Sequence, residues 1–324
     1  MGAKPLRVGV VGVGSMGRNH VRVLSTMPEF QLVGCFDANP DACSKIAQAY
    51  KIQAFESMEA LCDEVDVVNI ATPSSLHKEH ALIAAEKGCH VLVEKPIALN
   101  EADAQDIIDA CARGGGRLCV GHVERYNPAI ATLMEILENE EVISVDFRRL
   151  SPFAGRISDA DVVQDLMIHD IDILNAISKA PIARVCSQGV RVYTDMLDYA
   201  QAIVAYEDGM VASLTASRVT ESKERKAQIN AKNAFITVDY LNRSVEISRK
   251  TNFELNVGHP TEYKQENIVE RVFVPSVEPL RSEFEHFAHC INTGEEIATS
   301  GEMGKRAVAL AACVSEGAFA RDRR

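Results

Sequence analysis

The sequence has no excess of positive charge. Its 34 lysine and arginine residues are outnumbered by 46 aspartate and glutamate residues, which gives a formal net charge of −12. Duplex binding depends on basic patches that neutralise phosphates, so this balance argues against a nucleic-acid-binding protein. An anionic small molecule stays open as a substrate, because a few arginines in one cleft can bind a phosphate while distant charges are screened.

Paired cysteines and clustered metal ligands are also missing from the sequence. The nine cysteines form no Cys-x-x-Cys pair and their number is odd, which is typical of a reduced, intracellular protein. Structural zinc needs thiolates or imidazoles at short spacing, so no metal site is predicted. We interpret the cysteines as small core residues.

No apolar run approaches the ~20 residues that a membrane helix needs. The N-terminal apolar run is broken by Gly9, Gly12 and Gly14 and is too short for a signal peptide. We therefore expect a cytoplasmic protein that does not contact a membrane.

At 324 residues, 47% of them apolar, the chain exceeds what one hydrophobic core usually organises, and two domains are expected. Up to residue 121, short apolar runs alternate with helical segments, which predicts a doubly wound parallel sheet of the Rossmann type. Helix end signals occur at Asn39 before Pro40, at Gly88 and at Asn100. The predicted strands are Leu6 to Val11, Phe30 to Phe36, Val65 to Ile70, His90 to Val93 and Arg117 to Val120.

The pattern changes over residues 122–324, where strand-like runs follow one another with turn signals between them. This predicts an α+β domain with a large, mostly antiparallel open sheet, closed by helices near 279–293 and 302–320. Two further helices are predicted near 125–138 and 162–177. The predicted strands are Val142 to Leu150, Arg184 to Val192, Ala200 to Tyr206, Met210 to Ser217, Ala234 to Asp239 and Val245 to Arg249.

A Gly-x-Gly-x-x-Gly motif, Gly12-Val13-Gly14-Ser15-Met16-Gly17, follows the first strand and begins a helix. The first glycine makes the tight turn, the second lets the backbone approach a pyrophosphate, and the third lets helix and strand pack closely. Ser15 and Met16 belong to the same predicted cofactor loop. The helix N-terminus supplies N–H groups for the phosphates. The apolar face of this helix is predicted to be Met16, Val21, Leu24 and Met27.

Asp37 follows the second strand, about 20 residues after the motif, where a carboxylate can bind the adenosine ribose hydroxyls. A carboxylate at this point repels the 2′-phosphate of NADP, so NAD is the predicted cofactor. Alternatively, Asp37 only begins the turn before Pro40, and the two roles are compatible.

Two further segments carry candidates for acid–base chemistry. Lys95, in Glu94-Lys95-Pro96, follows an apolar strand, where partial desolvation would favour acid–base use of the ammonium; a solvated charge is the alternative. Asp165 and His169 are one helical turn apart, so the carboxylate can orient an imidazole that accepts a hydroxyl proton. Here the alternative is a helix cap and a structural histidine.

Several motifs together resemble the Gfo/Idh/MocA family of oxidoreductases. They are Gly12 to Gly17, Ala71-Thr72-Pro73-Ser74-Ser75-Leu76-His77, Glu94-Lys95-Pro96, Asp165 with His169, and Glu278-Pro279-Leu280-Arg281. The resemblance implies that Lys95, Asp165 and His169 form the catalytic set. It implies nicotinamide contacts from Thr72, Pro73, His77 and Glu94. It further implies a homodimer or homotetramer formed through the open sheet face, and a last helix that returns towards the first domain.

A narrower resemblance is to the subgroup of these enzymes that oxidises the 3-hydroxyl of UDP-N-acetylglucosamine. It rests on Gly121 to Pro128, Ser151 to Arg156 and Asp165 to Asp172. It implies that a pyridoxal-phosphate aminotransferase acts on the ketone as a pathway partner. The substrate-binding candidates are Arg125, Tyr126, Asn127 and Arg156. Arg156 is the leading diphosphate ligand, whereas Arg125 could instead pair with Glu124 or contact the cofactor.

Three other functions are compatible with parts of this pattern. A dehydrogenase of a free polyol or monosaccharide, such as an inositol, would need no diphosphate ligands. A non-catalytic dinucleotide sensor would keep the glycine motif without needing Lys95 or His169. A metal hydrolase could use Asp165, His169, Asp170 and Asp172, but Asp172 lies on another face of the helix and the glycine motif stays unexplained.

Overall fold

The computed structural model describes residues 4–153, 160–249 and 268–320. Contacts between Cα atoms divide the chain into two compact units. Unit 1 comprises Met1–Tyr126 and Val277–Ala312, and unit 2 comprises Asn127–Ser276 and Cys313–Arg324.

Unit 1 contains a six-stranded parallel sheet with the order β3-β2-β1-β4-β5-β6. This is the strand order of a Rossmann fold, and it confirms the predicted fold class. Helices cover such a sheet on both faces, and for this reason its strands are largely apolar. All four residues of β4 are buried. The strands are β1 Leu6–Val11, β2 Phe30–Phe36, β3 Gln53–Ala54, β4 Val67–Ile70, β5 His90–Glu94 and β6 Leu118–Gly121. The two-residue β3 was not predicted.

The helices of unit 1 begin and end largely where their end signals predict. The Asn39 side chain accepts hydrogen bonds from the N–H groups of Asp41 and Ala42, and Asn100 accepts one from Asp103. Gly88 has a left-handed φ of 72° after the end of its helix. The helices are α1 Ser15–Leu24, α2 Pro40–Tyr50, α3 Met58–Cys62, α4 His77–Glu86 and α5 Glu101–Gly114.

A late segment of the chain completes the core of unit 1. Helix α8, Pro279–Thr293, places Phe284 and Phe287 in one apolar cluster with Val10 of β1 and Val21 of α1. The sequence predicted this helix at the observed residues but assigned it to the second domain. Its buried phenylalanines instead join the core built by the first strands.

Unit 2 contains an eight-stranded sheet with the order β14-β13-β12-β11-β7-β10-β9-β8. All neighbours are antiparallel except β7 and β10, so the predicted mostly antiparallel sheet is confirmed. Strands β11 and β14 were not predicted. The strands are β7 Val142–Leu150, β8 Ile182–Val190, β9 Tyr199–Tyr206, β10 Val211–Ser217, β11 Glu224–Ala231, β12 Phe235–Asp239, β13 Ser244–Arg249 and β14 Ile268–Val272.

Unit 2 has helical segments in the two regions where helices were predicted, near 125–138 and 162–177. Helix α6 spans Pro128–Leu137, and a π-helical turn at Val163–Met167 leads into α7, Ile168–Ile177. Helix α9, Gly301–Phe319, belongs to unit 1 up to Ala312 and to unit 2 from Cys313. Across the described residues, none of the helices combines the length and apolar character needed to cross a bilayer.

Candidate active site

The glycine motif forms the predicted turn between β1 and α1. Gly12 has a φ of +86°, a conformation that other residues rarely adopt, and its N–H donates to the carbonyl of Phe36 (2.8 Å). A Cβ atom on Gly17 would lie 1.8 Å from the Gly12 oxygen. Only glycine at position 17 therefore lets α1 pack this closely on the Gly12 turn.

The N-terminus of α1 fits a phosphate group. Its N-cap residue, Gly14, provides no side-chain cap, unlike Asn39 at α2 and Asn100 at α5, and the space beside Gly14 is open within 4 Å. Uncapped N–H groups at a helix start attract anions. Met16 is 38% exposed at this end, so its predicted place on the apolar face of α1 is wrong. The buried residues of α1 are Gly17, His20, Val21, Val23 and Leu24.

Asp37 lies beside the glycine loop and is fixed by the backbone. One carboxylate oxygen accepts the N–H of Val13 (2.7 Å), and the other accepts the N–H of Asn39 (2.8 Å). It therefore both shapes the turn before α2 and presents a carboxylate at the end of β2. A cavity of about 540 Å³ opens here, lined by Val13, Gly14, Arg18, Asp37, Asn39, Asp41, Ala42, Lys45 and Ile46.

This cavity fits the adenosine half of a nicotinamide dinucleotide. It joins an uncapped helix start, suited to the pyrophosphate, to a carboxylate suited to ribose hydroxyls. Arg18 and Lys45, which the sequence interpretation missed, add two cations to the wall. Both residues are on helices, where lysine and arginine are common solvated residues, and no sequence motif marks these two as cofactor ligands.

Replacing Asp37 by asparagine should narrow the difference in affinity between NAD and NADP roughly tenfold, because it removes the repulsion of a 2′-phosphate. Asparagine keeps only one acceptor oxygen, so one of the two backbone hydrogen bonds is lost. Both cofactors meet this change in the loop, and the ratio of their affinities therefore reports the loss of charge. Calorimetry with both cofactors measures the effect, and Asp41→Asn on the same wall is the control. Equal binding of NAD and NADP by the unmodified protein would reject the role of Asp37.

Glu94 and Lys95 lie at the carboxyl end of β5, the edge where open parallel sheets bind ligands. Glu94 is buried, and one carboxylate oxygen accepts the N–H of Lys95 (3.1 Å) while the other lies 3.0 Å from His20 Nε2. Burial opposes ionisation of Glu94. The close contact with His20 and the positive charge of Lys95 outweigh it and lower the pKa of the carboxyl group. Lys95 is half-buried.

His77 bridges two neighbouring loops of this edge. Its Nδ1 lies 2.8 Å from the carbonyl oxygen of Pro96, and its Nε2 lies 3.0 Å from that of Thr72. Burial lowers the pKa of this imidazole, and the two carbonyl groups partly offset the shift. Pro73 is exposed beside Thr72, whose hydroxyl is 3.1 Å from His80 Nδ1. His77 thus connects the Thr72 and Pro96 segments, both of which belong to the predicted site.

In unit 2, Asp165 and His169 lie on consecutive turns of one helical segment. Asp165 is in the π-helical turn, His169 is in the first turn of α7, and both are half-buried. A π-helical turn is rare and occurs often at functional sites, where it widens the helix locally. The sequence predicted the helix and the spacing but not this local form.

A buried ion pair fixes the residue after His169. Arg149 of β7 donates from Nε and Nη2 to the two carboxylate oxygens of Asp170, at 2.9 and 2.7 Å. Both side chains are almost fully buried, and the guanidinium lies 5.7 Å from the ring centre of Tyr240. This bidentate pair ties α7 to the sheet.

A second buried pair holds the segment before the π-helical turn. Arg218 donates to Asp198 (2.7 Å) and to the carbonyl of Ala160 (3.0 Å). Burial opposes ionisation of Asp198, but N–H groups of the 192–194 loop and the Arg218 guanidinium outweigh it and lower its pKa to about 2. Asp161 then caps the turn by accepting the N–H groups of Val163 and Gln164. The helix that carries Asp165 and His169 is therefore anchored before and within its length.

The four predicted substrate-binding residues differ in their burial and in their contacts. Tyr126 is half-buried, with its hydroxyl 3.1 Å from Thr299 Oγ1, and burial raises its pKa. Asn127 is buried and caps α6 through the N–H of Ala129. These contacts give both side chains structural roles. Arg125 is half-buried in the turn before α6. Arg156 lies outside the described residues.

Two family models match this chain. Residues 6–122 match the Gfo/Idh/MocA oxidoreductase family with an NAD-binding Rossmann fold, and residues 144–237 match a Gfo/Idh/MocA C-terminal domain. The first match covers the glycine motif, Asp37 and Lys95. The second covers the helix of Asp165 and His169.

Similar proteins cover almost the whole chain. A UDP-N-acetylglucosamine 3-dehydrogenase of Acidithiobacillus ferrooxidans is 33% identical over 94% of this chain and 95% of that protein. Its solved structure superposes with a TM-score of 0.91, covering 98% of this chain and 99% of that one. An inositol 2-dehydrogenase of Rhizobium meliloti is 24% identical over 94% of each protein. A levoglucosan dehydrogenase solved with NADH and L-sorbose is 20% identical, with a TM-score of 0.85 over 99% of this chain and 98% of that one, and shares the fold. The chain belongs to the Gfo/Idh/MocA family of NAD-binding oxidoreductases.

Proposed function

We propose that this enzyme oxidises the 3-hydroxyl of UDP-N-acetylglucosamine to a ketone with NAD as the oxidant. The observation that carries this proposal is the similarity, at 33% identity along nearly both full lengths, to a UDP-N-acetylglucosamine 3-dehydrogenase. The inositol 2-dehydrogenase of similar coverage is only 24% identical. The net negative charge of the protein is compatible with an anionic substrate, because a few arginines in one cleft suffice to bind a diphosphate.

His169 is the proposed proton acceptor. It lies one turn from Asp165, whose carboxylate can hold the imidazole in one orientation and stabilise the imidazolium that forms. An imidazole is suited to accepting a hydroxyl proton near neutral pH. Two buried ion pairs anchor the segment, which reduces the reorganisation needed when substrate binds.

Lys95 is proposed to hold the reacting hydroxyl and to favour its ionisation through its positive charge. It lies at the carboxyl end of β5, and its backbone N–H is held by Glu94. NAD, when bound, supplies the acceptor for the hydride that leaves the carbon atom. The proton and the hydride together account for both hydrogens lost when the alcohol becomes a ketone.

The substrate is tested by incubating the enzyme with NAD and, separately, with UDP-N-acetylglucosamine, free N-acetylglucosamine and myo-inositol. We expect turnover of the nucleotide sugar, because binding energy from the remote nucleotide can hold the sugar in reactive geometry. Free N-acetylglucosamine should then lose turnover as well as affinity. Mass spectrometry of the sugar products detects the ketone directly.

Ketone formation is expected to be uphill at neutral pH, so little NADH should accumulate. A coupled reaction with a pyridoxal-phosphate aminotransferase and glutamate removes the ketone and should raise NADH formation with the nucleotide sugar alone. Turnover of myo-inositol with none of UDP-N-acetylglucosamine would reject the proposal and favour a polyol dehydrogenase. NAD binding without turnover of any of the three would instead favour a dinucleotide sensor.

A further inference from the structure

Three buried polar side chains of unit 1 lie in contact with one another near the end of β5. Asn69 of β4 donates from Nδ2 to His20 Nδ1 (2.6 Å), and His20 Nε2 lies 3.0 Å from Glu94 Oε1. His20 is fully buried in α1, with its ring edge-on to Phe284 at 5.4 Å. The sequence interpretation singled out Glu94 but neither of its partners.

These contacts favour the charged form of Glu94. The Asn69 amide donates to Nδ1, which places the proton of the His20 ring on Nε2, 3.0 Å from Glu94 Oε1. The second carboxylate oxygen accepts the Lys95 N–H. A buried carboxylate without such donors has a raised pKa, whereas the pKa of Glu94 is lowered.

The position of Glu94 relates this charge to the cofactor. The adenosine cavity lies at the end of β2, and the phosphate-binding helix start follows β1. In the strand order β2-β1-β4-β5, Glu94 lies three strands beyond β2, or about 14 Å at ordinary strand spacing. A dinucleotide that crosses the carboxyl edge from β2 therefore extends its nicotinamide half towards the ends of β4 and β5.

We propose that Asn69 and His20 are positioning residues that hold Glu94 as a fixed negative charge, and that this charge favours NAD⁺ over NADH. The nicotinamide ring is positively charged when oxidised and neutral when reduced, so a fixed carboxylate distinguishes the two forms. Of the other ionisable groups around Glu94, Lys95 carries the opposite charge and is half-buried, and burial lowers the pKa of His77. Substitutions of Glu94 leave both groups in place, so a change in the preference reports the Glu94 charge. This inference rests on NAD binding and not on the identity of the sugar.

The first test compares the Kd values of NAD⁺ and NADH by calorimetry and fluorescence titration without substrate. Glu94→Gln should shift the ratio of the two Kd values roughly tenfold towards NADH, because it removes the charge while keeping the shape. Glu94→Asp keeps the charge and should keep most of the preference. A purely structural role would weaken both cofactors equally, and an unchanged ratio in folded Glu94→Gln would overturn the proposal.

The second test separates His20 from Glu94 through pH. In His20→Leu the carboxylate loses its donor, its pKa should rise, and the NAD⁺ preference should be lost near about pH 6 and regained near about pH 9. His20→Gln retains an N–H donor and should resemble the unmodified protein, whose ratio should stay constant over this range. His90→Gln, at the opposite end of β5, is the matched control. A pH-independent ratio in His20→Leu would overturn the role of His20, even if Glu94→Gln did not fold.

Discussion

Turnover of the sugar should fall by ~100- to 10,000-fold when His169 is replaced by alanine, because the reaction loses its general base. The affinity for NAD should change little, since the cavity beside Asp37 and the N-terminus of α1 belong to unit 1, whereas His169 belongs to unit 2. Steady-state kinetics at saturating NAD and calorimetry with NAD measure the two quantities on one preparation.

The control for this variant is His289→Ala, which removes an exposed histidine that pairs with Glu295 in unit 1. Its turnover should equal that of the unmodified enzyme. Asp165→Asn should reduce turnover less than His169→Ala, because the imidazole remains while its orienting charge is lost. Unchanged turnover in His169→Ala would refute the proposed base, and simultaneous loss of NAD binding would indicate damage to the fold.

The free energy of unfolding should fall by about 3–5 kcal/mol when Arg149 is replaced by methionine, because the buried Asp170 carboxylate would lose the guanidinium that pairs with it. Arg149 is almost fully buried and contributes both hydrogen bonds of the bidentate pair. Urea unfolding followed by circular dichroism measures the loss. The double variant Arg149→Met with Asp170→Leu should recover most of it, since replacing both charges removes the desolvation penalty.

The neighbouring arginine provides a matched control. Arg148 lies next to Arg149 on β7 but is exposed, and it pairs with Glu224 across the sheet. Arg148→Met should change the stability little, because water and salt screen an exposed ion pair. Equal effects of the two substitutions would show that burial of the Arg149–Asp170 pair does not determine its contribution.

Local patterns in the sequence predicted those strands and helices whose side-chain polarity matches their burial. The runs Leu6–Val11 and Phe30–Phe36 became β1 and β2 at the predicted residues, because strands covered by helices on both faces are largely apolar. Strand β11 was missed because its first residues, Glu224-Arg225-Lys226, are charged and only half-buried. Its neighbours β7 and β12 supply the hydrogen bonds that define it as a strand.

The sequence by itself determined the glycine loop and the start of the following helix, since the positive φ of Gly12 and its contact with Gly17 involve glycines a few positions apart. The helical spacing of Asp165 and His169 was readable for the same reason. Asp37 was readable from its distance along the chain after the motif. Only the tertiary structure decided that α8 joins the core of unit 1, that Arg149 pairs with Asp170, and that Asn69 and His20 hold Glu94. These partners come from separate strands and helices, and buried polar groups find one another only when the whole fold removes them from water.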